Sequence, residues 1–218
     1  MASHSKGDFQ LSLGFIISVV FAIVLLSVAI VWLRGTIGNI SGLTDDLTQQ
    51  AQQALSDTFR STTTTFSVFP TSYKLAPGKT LIMQGGIKND AGDGQTHLFV
   101  VNIKPEGVSR NICPDGTLTC TPPSISPGKN VGQFMQDWVS WVQSPQQIQI
   151  NQNGFFRINF QIPGETPKGT YLFTVTACYN RLLQQTLNYA DCNPSAPPTN
   201  QQAQLWGGSS QQVLLEVV

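Results

Sequence analysis

The sequence predicts a mainly β chain with a long N-terminal helix: a single transmembrane helix, an amphipathic stalk and, beyond the membrane, an extracellular β-sandwich. Three observations predict it. Residues 9–33, FQLSLGFIISVVFAIVLLSVAIVWL, contain no charged side chain, and a hydrocarbon layer of about 30 Å is crossed by about 20 apolar residues in a helix. Beyond residue 66 the apolar residues fall into short alternating runs separated by Pro and Gly turns, the pattern of strands half-buried in a sheet. All four cysteines lie on the C-terminal side of the apolar run, where an oxidising compartment would place them.

The 9–33 run has two competing readings, a cleaved secretory signal and a buried core helix. It exceeds the roughly 7–15 residues of a signal-peptide apolar region and lacks a small-x-small cleavage site before Arg34. A core helix that is apolar all round needs apolar partners on every side, and the rest of this chain is polar. With the cysteines outside, residues 1–8 are inside, an N-in, C-out topology in which Lys6 and Arg34 flank the span.

After the span, Trp32 and Arg34 mark the outer interface, and Gly35, Gly38 and Gly42 are expected to loosen the helix. Ile40, Leu43, Leu47, Ala51, Ala54 and Leu55 then recur at intervals of three and four, opposite acids and glutamines. This predicts an amphipathic stalk over 34–60, packed either on its own β domain or on neighbouring copies. The Ser-Thr run at 61–65 is a linker, because β-branched residues resist helix. Asn39-Ile40-Ser41 is a glycosylation sequon close to the membrane.

Strands are expected at 66–69, 81–83, 97–103, 148–150, 156–162, 171–177 and 213–218, within one domain spanning 66–218. Short separations favour pairing Cys113 with Cys120 and Cys178 with Cys192, although four cysteines allow three connectivities. A metal site is the competing use of these cysteines. It is disfavoured because no CxxC occurs and His97 is the only histidine on that side.

Chemistry is sparse. The chain is 11% charged with zero formal net charge, against about 25% charged in an average protein; without clustered Lys and Arg it is not a nucleic-acid binder. Asp90 and Asp93 flank glycines but not at calcium-loop spacing, and turns use Asp for local backbone bonds. His97 sits on an alternating strand. No nucleophile, zinc or phosphate-loop motif occurs, so no catalytic residue, metal or cofactor is expected. Trp138, Trp141 and Trp206 are candidates either for burial or for an exposed contact surface. Residues 107–132 form a long excursion that could serve recognition.

Two stretches resemble known families. Lys6-Gly7-Asp8, a short polar step with Gln10 and Ser12, and then the long apolar helix resemble the class III signal of archaeal type IV pilins and archaellins. The resemblance implies cleavage after Gly7. Asp8 is unusual as a mature N-terminus, and Gln10-Leu11-Ser12 sits two places late. Pro163, Pro167, Gly169 and Tyr171, around a strand-turn-strand unit, resemble the immunoglobulin-like domains of prokaryotic surface and archaellum-associated proteins. Together they imply a pilin-like filament subunit that self-associates through its helix. The alternative is a stator-like module permanently anchored in the lipid bilayer and gripping an envelope or filament protein.

Overall fold

The computed structural model describes residues 13–122, 125, 128–180, 187–192, 203–207 and 210–218, with side chains described at 17–30 and, within those ranges, from 49 onward. The chain divides into two compact units, Met1–Thr48 and Gln49–Val218. Helix α1 runs Leu13–Ser61 over 49 residues. It passes Gly35, Gly38 and Gly42 unbroken, and the stretch 34–60 lies within it. Among the described residues no helix is long and apolar enough to cross a membrane, the side chains described within the 9–33 run being 17–30.

The helix ends where hydroxyls compete for its carbonyls. Ser61 Oγ donates to the Asp57 carbonyl and Thr62 Oγ1 to that of Thr58. In the last turns Leu55 and Phe59, one turn apart, are buried, while Ala54 of the expected stripe is exposed. Phe59 lies over Gly86, where an added Cβ would come within 2.7 Å of its ring.

One sheet orders β1 (Phe66–Phe69), β3 (Thr80–Lys88), β7 (Asn153–Gln161) and β5 (Val139–Trp141). The other orders β2 (Ser72–Leu75), β10 (Gln211–Val217), β8 (Gly169–Asn180), β4 (His97–Val108) and β6 (Gln146–Ile148), with β9 (Ala203–Leu205) also on β8. This strand order is that of an immunoglobulin-like sandwich. The chain leaves the first sheet at Pro70, which has no N–H to continue the ladder. It then enters the second as β2, parallel to β10. The expected strands near 66, 81, 97, 156, 171 and 213 are present. The one expected at 148–150 is instead β6, and β2, β5 and β9 are additional short strands.

Alternation builds the core. Leu81, Met83 and Ile87 of β3 face Tyr171, Phe173 and Val175 of β8 and Val213, Leu215 and Val217 of β10, all in one buried cluster. The 107–132 excursion contributes to that cluster through Ile112, Cys113, Ile125 and Val131, while Arg110, Asn111, Pro114, Asp115, Thr117, Thr119, Thr121, Gly128 and Lys129 stay exposed. It leads into α2 (Val131–Gln136), opened by a reciprocal capping box between Asn130 and Gln133. The Tyr171 hydroxyl donates to the Pro167 carbonyl at 2.7 Å, the tyrosine corner of such sandwiches, and burial pushes its phenol above the ordinary range. Gly169 between them has φ +153°, and a Cβ there would lie 2.6 Å from Ser109 Oγ. The Pro-x-Gly-x-Tyr spacing is therefore explained by backbone geometry and one hydrogen bond.

Candidate functional site

Two disulfides join Cys113 to Cys120 and Cys178 to Cys192. The second does more than close a loop. Val100, Cys178, Leu187, Cys192 and Ala203 form a small second core. Asn102 Nδ2, itself buried, donates to the Cys192 carbonyl at 2.9 Å, holding the bridge segment down on the sheet.

The three tryptophans do not form an exposed contact surface. Trp138 is 1% exposed, with Phe134 and Tyr171 at ring distances of 5.3 and 4.6 Å. Trp206 is buried against Phe99 and Tyr179, and its indole N–H donates to the carbonyls of Thr65 and Lys88. Trp141 is half-buried, donates to the Val101 carbonyl and meets Tyr189 edge-on. Indoles supply large apolar area and one donor; in Trp141 and Trp206 both serve the packing, and in Trp138 the apolar area does. Trp138 lies between two elements: α2 ends at Gln136 and β5 begins at Val139.

His97 is buried at the start of β4. Its Nδ1 lies 2.8 Å from the Asn180 carbonyl and its Nε2 2.9 Å from an Asp93 carboxylate oxygen. Asp93 also accepts from the Gln95 backbone N–H at 3.0 Å. That bond, followed by the hydrogen bond and charge of His97, holds the Asp93 carboxyl below its ordinary range. Asp115 is lowered in the same way by the backbone N–H and hydroxyl of Thr117. These acids are latches of turns, and Asp90 pairs with Lys88 at 3.4 Å. A carboxylate whose folded pKa is depressed stabilises the fold above its unfolded pKa and loses that contribution as pH falls through the folded one. Acid unfolding of the wild type should therefore steepen below about pH 4. In Asp93→Asn/Asp115→Asn the acid limb should flatten, read by far-UV circular dichroism; superimposable limbs would contradict the latch assignment.

Lys6, Gly7 and Asp8 lie outside the described residues. Asn39 falls within α1, its side chain outside the described set. What α1 does present is a continuous apolar surface: every described side chain from Ile17 to Ile30 is exposed, Phe21 and Leu26 to 63%. Ser27 Oγ turns back to the Ile23 carbonyl at 2.8 Å, hiding its polarity within the helix. Sequence reasoning missed Phe59 and Gly86. The signal for Phe59 was legible four residues after Leu55; a close approach at one particular glycine was not.

No family model matches the chain, and no curated protein matches it. Among solved structures, PapD-like domain 7 of human CEP192, an ASH / PapD-like domain, is similar at 10% identity and TM-score 0.38, covering 71% of this chain and 86% of that one. The E. coli chaperone DraB is similar at 12% identity and TM-score 0.32, over 71% of this chain and 54% of that one. A family 123 glycoside hydrolase from Clostridium perfringens is similar at 13% identity and TM-score 0.36, over 68% of this chain and 23% of that one. The assignment of the sandwich rests on its own strand order.

Proposed function

We propose that the chain is a non-enzymatic cell-surface structural protein, held in a membrane by residues 9–33, with its sandwich outside, and acting as a pilin-like subunit of an extracellular filament. The observation that carries this reading is the exposure, all round the helix, of the apolar side chains from Ile17 to Ile30. Ten large apolar side chains exposed between Ile17 and Ile30 are too many to leave in water, since each buried large aliphatic side chain is worth about 1.5–3 kcal/mol. Lipid or the same helix of neighbouring copies would cover them. The two disulfides support an oxidising location for the sandwich. The non-enzymatic reading is supported by how the titratable groups are spent: His97 and Asp93 on each other, Lys74 on Glu216 and Lys129 on Asp137.

Asp8 favours a second reading, a permanently anchored binding module, because a charged residue there departs from the processed signals that this N-terminus resembles. Intact-mass measurement on membranes and on sheared surface material separates the two. A form beginning at Asp8 and enriched in sheared material is expected for the filament subunit. A full-length chain confined to membranes would favour the anchor, and a chain recovered in the fraction released by alkaline carbonate would overturn both.

A further inference from the structure

We propose that the sandwich unit carries a binding cleft for a neutral oligosaccharide, formed between the last turns of α1 and strand β7. Gln49, Gln52, Gln53, Ser56, Asp57 and Arg60 line one wall of a cleft of about 480 Å³, and Phe155 lines the other. All of these residues belong to the unit Gln49–Val218. The inference holds for a filament subunit and for a fixed anchor alike.

The wall is a single stripe of the helix. Its residues recur at intervals of three, four or one, one edge of α1 over eleven steps, which at about 1.5 Å per residue is about 16 Å. Amides dominate that stripe, and each carboxamide offers two donors and an acceptor able to take two bonds. Sugar hydroxyls, which both give and receive, are the ligand groups that use such a mixture fully. Asp57 and Arg60 form no ion pair among the described residues. An uncommitted carboxylate can accept from two neighbouring hydroxyls, and a guanidinium can donate to ring and hydroxyl oxygens. The wall's formal charge is zero, one acid against one base, which gives an anionic glycan no net attraction.

Phe155 supplies the apolar element. It is half-buried and lies across from Gly86 in the β3–β7 ladder. A Cβ added at Gly86 would meet the Phe59 ring at 2.7 Å and Phe155 Cδ1 at 3.5 Å, so the two rings converge on the space that glycine leaves. Phe155, half-buried beside that space, is the platform for the C–H face of a pyranose. Ligand sites pair apolar walls with a few polar groups that set orientation, and this cleft has that division, aromatic on the sheet side and polar on the helix side.

The test is saturation-transfer NMR and calorimetry on the full chain in detergent micelles. The probes are mannotriose, maltotriose, N,N′,N″-triacetylchitotriose and, as acidic control, trigalacturonate. At least one neutral trimer is expected to bind at about millimolar Kd, with transfer strongest to its C–H protons. Gln52→Ala/Gln53→Ala, both changes on the helix surface, should weaken it at least tenfold with the near-ultraviolet spectrum unchanged; Phe155→Ala should abolish transfer. No transfer to any neutral trimer, binding that survives both variants, or binding of trigalacturonate alone would overturn the proposal.

Discussion

Replacing Trp138 by alanine should lower the unfolding free energy by about 3–5 kcal/mol, the range for deleting a large buried aromatic. The ring is 1% exposed and packs edge-on against Tyr171 at 4.6 Å and Phe134 at 5.3 Å, with Phe173 at 6.2 Å. Its loss removes the contact that ties α2 to the tyrosine corner. The indole nitrogen is buried without a hydrogen-bond partner among the described residues. Removing that N–H while keeping an aromatic ring should therefore cost much less, and Trp138→Phe is expected to lose less than half of what Trp138→Ala loses. Urea unfolding of the detergent-solubilised full chain, followed by near-ultraviolet circular dichroism, measures both. Equal losses for the two variants would mean that the nitrogen has a partner; a Trp138→Ala loss under about 1 kcal/mol, the size of an ordinary surface change, would remove Trp138 from the core.

The double substitution Cys178→Ser/Cys192→Ser should cost about 3 kcal/mol from loop closure alone, given a sequence separation of 14. A further penalty follows because the bridge covers Val100, Leu187 and Ala203. With the bridge gone, the 187–192 segment must hold its place through the Asn102 bond and packing alone. Cys113→Ser/Cys120→Ser closes a shorter separation of 7 and should cost less, about 2.5 kcal/mol on the same chain-entropy relation. Urea midpoints of the oxidised wild type and the two variants rank these losses. The reverse ranking would mean that the 113–120 turn, and not the 187–192 cover, is what the sandwich depends on.

Much of the sandwich was legible because apolar side chains recur at every second position: Phe99, Val101 and Ile103 of β4 and Tyr171, Phe173, Val175 and Ala177 of β8 all reach the one core. The 148–150 strand was displaced by a few residues because Ile148 is the last residue of β6 and only one apolar position marked it. Strands β2, β5 and β9 escaped because three or four residues show no period, and Tyr73 and Lys74 at the edge are exposed. The disulfides were legible from separation, a chain-entropy argument that needs no coordinates. The tryptophans were not, since an indole reads the same in sequence whether its N–H meets a carbonyl or solvent. Least legible was the cleft: its glutamines read as a solvated helix face, and only the strand register that sets Phe155 beside Gly86 gives that face an opposing wall.

The place of β10 carries a consequence for how such a chain is made. It lies between β2 and β8, so residues 72–75 wait for residues 214–217 before they have any neighbour in their sheet. Every residue from 72 to 217 must leave the ribosome before the second sheet can close. Pairings so distant in sequence form slowly, which leaves the free edges of β2 and β8 open to other strands in the meantime. A chain synthesised only as far as β8 therefore carries unpaired edges that are closed when residues 214–217 arrive.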